Sequence, residues 1–349
     1  MEKFIHGGDR YRNNIQMDFS VNINPLGVPE GIKNSFEDLI EGMEYYPDMD
    51  VISLKEKLSE KLCISKEYLL FGNGASELMM AVMHAYTPKK IVVPVPSFIG
   101  YERAACAVDL KIDFYEMNSC FEIDEDILNR LDEDVDLLIL ANPNNPTGKL
   151  IDASLLDRIL KKCRDENILV LLDECFIKLS DNGDEHSLIS KFLDFPNLLL
   201  LRAFTKTYAI PGVRLGYLVC SDLDKISRIE KHIPEWNVST IAQSIGIKVL
   251  EDNDYINESL KVIRNEREYL EGELANLGLN YIKSSTNFLM FKSDKINFYQ
   301  ELLKLGILIR DCGNYRGIDR GFYRIAIKKH DENVKLIEAM KTILNKNEE

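Results

Sequence analysis

Between Arg202 and Tyr217 the chain reads Arg-Ala-Phe-Thr-Lys-Thr-Tyr-Ala-Ile-Pro-Gly-Val-Arg-Leu-Gly-Tyr. Lys206 falls just past an apolar run, Leu198 to Leu201, that predicts a buried strand, and Arg214 follows across a Pro-Gly turn. Burial favours the neutral amine of a lysine, the form that attacks an aldehyde carbon to make a Schiff base. The guanidinium of Arg214 stays charged at any working pH, and its fork suits a phosphate. A lysine that carries an aldehyde beside a phosphate clamp meets the needs of pyridoxal phosphate. Taken alone, the pair reads more readily as two charges on a solvated loop.

Other segments narrow the choice. Gly72-Asn73-Gly74-Ala75-Ser76-Glu77 joins a strand to a helix; its glycines let backbone approach an anion that the first helical N–H groups face. The same turn could be closed by Asn73 as a helix cap. In Asn142-Pro143-Asn144-Asn145-Pro146-Thr147-Gly148 two prolines stiffen the turn, so Asn145 can be aimed at an oxyanion such as a phenolate. Asp173 ends the run Ile168–Leu172, where a carboxylate needs a cation, and a protonated pyridine nitrogen supplies one; capping of the next segment is the alternative. Phe98, after Pro94-Val95-Pro96-Ser97, offers a ring for stacking or for the core. Arg310 and Arg324, in later strands, could bind carboxylate or phosphate, or lie in surface ion pairs.

These residues need a scaffold that brings them together. From Val51 onward short apolar runs alternate with helical patterns: strands are expected at Tyr68–Phe71, Lys90–Val95, Lys111–Glu116, Val135–Ala141, Ile168–Leu172, Leu198–Leu201 and Leu215–Val219. Strands apolar on both faces and separated by helices predict an α/β fold with a mostly parallel central sheet. Ligands in such sheets bind beyond the carboxyl ends of the strands, where the segments above fall. Residues 1–50 predict an extended arm with a short helix near Gly31–Ile40. After Ser239, helices to about Leu277 and then strands, with Ile307–Arg310 as one of them, predict a smaller α+β domain. The expected division is an arm over 1–45, a large domain over 46–250 and a small C-terminal domain over 251–349.

Composition excludes other classes. Asp and Glu number 57 against 43 Lys and Arg, and the formal charge of −14 disfavours nucleic acid and anionic membrane as partners. An anionic substrate must then be held by a local arginine cluster. The seven cysteines show no zinc spacing, so no metal is expected. Cys163, Cys175 and Cys220 sit in or beside apolar runs, which fits buried thiols in a reducing cytosol. With no apolar signal core and no run of spanning length, a cytoplasmic location is expected.

The ordered motifs at 72–77, 142–148, 173–176, 205–206 and 214–217 resemble fold-type I pyridoxal-phosphate enzymes, and within them the histidinol-phosphate aminotransferase group. The resemblance covers nearly the whole chain. It implies that Lys206 carries the cofactor and moves protons, that Asp173 pairs the ring nitrogen, that Asn145 bonds the ring oxygen and that Phe98 stacks. Gly74, Ala75, Ser76 and Arg214 would hold the phosphate, with help from Thr205. Tyr46, in Tyr46-Pro47-Asp48, would reach the phosphate of a partner subunit, which implies a homodimer with shared sites. Phe176 and Ala203 depart from the pattern, standing where many relatives place a tyrosine that bonds the ring oxygen and a Ser or Thr that touches the phosphate.

Two further segments are similar to threonine-phosphate decarboxylases of cobalamin synthesis: His6-Gly7-Gly8 with Asp18 to Gly27, and Ile309 to Gly317. That similarity implies a phosphorylated amino acid as substrate, its anionic ends held by Arg310 and Arg324 with His6, Asn22 and Asn24 nearby. The expected reaction is decarboxylation of O-phosphothreonine. Aminotransfer from a phosphate-bearing amino acid is the alternative. A cofactor-binding regulator without turnover stands as a third class, disfavoured by the acidity and by the lack of a basic helix-turn-helix extension.

Overall fold

Alternate residues of the same strands pack into two different cores. Leu138, Leu140, Val170, Leu172, Leu198 and Leu200 join one cluster, while Leu137, Ile139, Leu169, Leu171, Leu199 and Leu201 join another. A period-2 chain that is apolar at every position must be covered on both faces, and helices supply the cover. The computed structural model describes residues 7–348, without the side chains of residues 36–38 and 347–348.

The arm contributes β1 (Met17–Asp18). The large sheet consists of β2 (Leu69–Gly72), β3 (Lys90–Val95), β4 (Lys111–Glu116), β5 (Leu137–Ala141), β6 (Leu169–Asp173), β7 (Leu198–Ala203) and β8 (Gly216–Val219). Its order is β2-β8-β7-β6-β5-β3-β4, and only β8 runs against its neighbours. The carboxyl ends of β2, β3, β5, β6 and β7 therefore share one edge. The expected strands occupy these places, shifted by one or two residues at their ends.

A second sheet of four antiparallel strands has the order β12-β13-β10-β9, from β9 (Asn280–Ile282), β10 (Phe288–Lys292), β12 (Arg310–Asp311) and β13 (Phe322–Ala326). Between them β11 (Ile307–Leu308) leaves this sheet to pair in parallel with β1. The single strand expected over Ile307–Arg310 is thus two, because the chain changes partner at the buried Ile309. The short helix expected near Gly31–Ile40 also divides, into Glu30–Lys33 and Phe36–Glu41. Ser35 lies at the break and turns its hydroxyl onto the carbonyl of Gly31 at 2.7 Å, a local bond that competes with helix continuation.

The helix Tyr255–Asn276 spans both cores: Tyr255 packs in the large one, and Ile263, Leu270 and Leu274 pack under the small sheet. Phe19 of the arm is fully buried in that smaller core, and its carbonyl accepts from Ala326 N at 2.8 Å. The arm is therefore stitched to the small sheet.

Candidate active site

A cavity of about 230 Å³ opens at the shared strand edge, between the large sheet, the small sheet and the arm. Lys206 lies in it, on the one-turn helix Phe204–Thr207 that follows β7 directly. Burial holds its amine below the ordinary lysine value of 10.5; Cys175 works against that depression, whereas the charges of Arg324 and Arg214 deepen it. The side chain keeps part of its surface open to the cavity while protein surrounds it. A neutral amine at a cavity wall is a ready nucleophile.

Asp173 ends β6 in the same cavity. Its Oδ1 accepts from the backbone N of Cys175 at 2.9 Å, so the turn expected as an alternative role does form. Its Oδ2 is engaged differently, accepting from the hydroxyl of Tyr101 at 2.8 Å. Asn145 also lines the cavity, and its Oδ1 accepts a short hydrogen bond from Arg324 Nη1. Arginine can only donate, so the amide meets it with oxygen and keeps its nitrogen as the donor left for the cavity.

The helix Ala75–Tyr86 starts at Gly74 with no side-chain cap. Asn73 is exposed and its N–H goes to Glu77 Oε2 at 2.7 Å, so the cap expected as an alternative does not form. Gly74 has φ +82°, and a Cβ there would stand 2.7 Å from Arg214 Nη2. At Gly216 a Cβ would stand 2.6 Å from Ala75 N. Two glycines thus clear a space bordered by an uncapped helix start and a guanidinium, an arrangement suited to an anion. Ala75, Ser76, Thr205 and Arg214 all line the cavity, as do Phe98 and Asn22. The Oδ1 of Asn22 is buried without a hydrogen-bond partner among the described residues.

The far wall comes from the small sheet. Arg310 and Arg324 stand opposite each other across β12 and β13, 6% and 5% exposed. Arg324 Nη2 donates to Ser20 O at 2.8 Å, its guanidinium lies 5.4 Å from the centre of the Phe288 ring, and its Nε is buried without a partner among the described residues. Arg310 donates to Asn314 Oδ1 at 2.6 Å and lies over Tyr315 at 5.0 Å. Phe176 meets Phe288 edge to face at 5.2 Å. At this position the departure from tyrosine supports the ring under Arg324.

Two expected positions, Asn24 and Tyr46, do not line the cavity. Asn24 is the one expected beside the substrate. Its Nδ2 donates to Thr207 O at 2.8 Å and Ser259 Oγ at 2.6 Å, and its Oδ1 accepts from Leu26 N at 3.0 Å, which spends the amide on structure. Tyr46 is 82% exposed on an outer face, 5.1 Å from the ring of Trp236. His6 lies outside the described residues. Conversely, Gly7, Ser20, Tyr101, Cys175 and Tyr315 line the cavity without having been singled out. Tyr101 had one legible signal, its place one helical turn after Phe98. Among the described residues no cluster of His, Cys, Asp and Glu could hold a metal, and no helix is long and apolar enough to cross a membrane.

A family model for aminotransferase class I and II matches residues 14–340, and the chain belongs to that family. It is 34% identical over 333 residues to the threonine-phosphate decarboxylase of Salmonella typhimurium, covering 94% of this chain and 91% of that protein. It is also 34% identical over 314 residues to the histidinol-phosphate aminotransferase of Christiangramia forsetii, covering 87% of each. The structure of histidinol-phosphate aminotransferase from Clostridium acetobutylicum superposes with a TM-score of 0.89 at 31% identity, covering 95% of this chain and 99% of that one. The fold is that of fold-type I pyridoxal-phosphate transferases, and pyridoxal phosphate is the cofactor of the family. The depressed amine, the glycine-cleared anion cradle and the carboxylate at the end of β6 fit that group.

The buried amine carries a stability cost with a definite sign. An unfolded lysine holds its proton below 10.5, whereas the folded Lys206 resists it, at about 1.4 kcal/mol for each tenfold loss of proton affinity. Lys206→Met is therefore expected to raise the thermal midpoint of the cofactor-free protein at pH 7, with the gain shrinking as the pH rises toward 10.5. Denaturation at both pH values checks this; a gain that does not depend on pH contradicts it.

Proposed function

We propose that this chain decarboxylates L-threonine O-3-phosphate to (R)-1-amino-2-propanol O-2-phosphate and carbon dioxide, a step of cobalamin synthesis. The pair Arg310 and Arg324 carries the reading. Opposite residues of an antiparallel ladder point to the same face, so two guanidiniums meet one small ligand with an anionic group at each end. The decarboxylase of Salmonella typhimurium, at 34% identity over 94% of the chain, supports it.

When bound, pyridoxal phosphate supplies a protonated ring that accepts the electron pair of a bond broken at Cα. Asp173 would hold the ring nitrogen, Asn145 the ring oxygen and Phe98 the ring face. Ala75, Ser76, Thr205 and Arg214 would take the phosphate, with Gly74 leaving room. Arg310 and Arg324 would hold the two anionic ends of the substrate and so fix its orientation, with Asn22 and Gly7 lining the same cavity. Lys206 Nζ, in the same cavity, would carry the cofactor and hold the proton that Cα receives. The seven free thiols suit a reducing cytoplasm.

Incubation of the purified protein with phosphothreonine and no keto acid tests the reaction. Carbon dioxide release, abolished by Lys206→Ala, is expected. The histidinol-phosphate aminotransferase relative at equal identity favours a second reading. Keto-acid-dependent amino transfer from histidinol phosphate, without carbon dioxide, would establish that reading instead.

The same proposal includes a homodimer. Met43, Tyr45, Tyr46, Met49, Ile52 and Trp236 expose an apolar face, Tyr45 and Tyr46 by 72% and 82%, and a second copy would cover it and bring Tyr46 to the partner's phosphate. Light scattering should give twice the 40.1 kDa of one chain. A mass of one chain at micromolar concentration contradicts shared sites.

A further inference from the structure

We infer that Tyr101 is a positioning residue for this site, acting through Asp173 and Phe98. The inference rests on the reading of Asp173 as partner of the cofactor's ring nitrogen. Tyr101 is 2% exposed, within the apolar layer between the large sheet and its helices. Phenylalanine would fill that space as well, and a buried hydroxyl is costly unless it is bonded. Its bond is the one to Asp173 Oδ2 at 2.8 Å. With Cys175 N on Oδ1, each carboxylate oxygen has one fixed donor, which sets the plane in which a third donor must approach.

The ring of Tyr101 has a second contact. It stands edge-on to Phe98, with centroids 5.5 Å apart and planes at 84°. Gly100 makes this possible, because a Cβ there would lie 2.2 Å from Phe98 Cε1. One side chain thus braces both the group that meets the ring nitrogen and the ring that stacks. Burial and the adjacent Asp173 carboxylate push the phenol well above its ordinary value, so it remains a donor throughout the working range.

The consequence is electrostatic. Donation to Oδ2 stabilises the carboxylate and keeps the shared proton on the cofactor ring. Without it more of the carboxylate's charge bears on the ring N–H, the ring loses positive character, and the protonated form of the linkage to Lys206 is favoured. Tyr101→Phe should therefore move the absorbance titration of the bound cofactor to higher pH, by on the order of half a pH unit. Replacement of Tyr101 by 3-fluorotyrosine, the same shape with a stronger donor, should move it lower.

The test is that titration on the holoprotein, alongside thermal denaturation and with Asp173→Asn as reference. Opposite shifts for the two Tyr101 replacements support the inference, and if Tyr101→Phe fails to fold, the fluorotyrosine shift alone carries the test. An unmoved midpoint for both, while Asp173→Asn shifts it or loses the cofactor, overturns the role of Tyr101 and leaves that of Asp173 standing. If Asp173→Asn keeps the cofactor with an unmoved midpoint, the reading of Asp173 fails, and the inference falls with it.

Discussion

A strap of five residues, Ser20 to Asn24, joins the two halves of the site. At one end the carbonyl of Ser20 accepts from Arg324 Nη2 at 2.8 Å, fixing the arginine of the small sheet. At the other end Asn24 N donates to Lys206 O at 3.0 Å, and Asn24 Nδ2 donates to Thr207 O at 2.8 Å, fixing the turn that carries the lysine. In the middle Asn287 Nδ2 donates to Ile23 O at 3.2 Å. Lysine and arginine belong to different sheets, and this segment helps set their separation alongside the bond from Arg324 Nη1 to Asn145 Oδ1.

The electrostatics follow from that placement. Lys206, Arg214, Arg310 and Arg324 bring four basic groups to one cavity, and Arg214 and Arg324 add to the burial that holds the lysine's amine below its ordinary value. Burial depresses the amine most, and the positive field that adds to it also attracts anions, on a protein whose net charge is −14. Behind the cavity, Glu174 and Arg202 form a buried ion pair at 2.6 Å. Glu174 follows Asp173 and Arg202 lies four residues before Lys206, so the pair binds together the strand ends that present them. Removing either partner would strand a buried charge.

The large sheet was legible in the sequence because burial on both faces writes strands as unbroken apolar runs, and the residues at their carboxyl ends were legible with it. The small sheet was less so: a strand of two residues, such as β11 or β12, has no period to detect, and the change of partner at Ile309 leaves no mark in the chain. Asn24 shows a different limit. An amide looks the same in sequence whether it faces a ligand or a backbone carbonyl, and only the positions of Thr207 and Ser259 decide. Tyr101 was hidden in a helix whose apolar pattern accounts for it without reference to the hydroxyl. Asp173 was expected either to meet a cation or to cap a turn, and its two oxygens divide the work, one in the turn and one on Tyr101.

If the buried amine of Lys206 is the covalent anchor of the cofactor, mass spectrometry should find the cofactor there. Borohydride reduction of the holoprotein fixes pyridoxal phosphate to whichever lysine carries it, and peptide mapping then locates the label. A single phosphopyridoxyl group is expected, on the peptide containing Lys206. A label on another lysine, or cofactor bound with no lysine labelled, would contradict it.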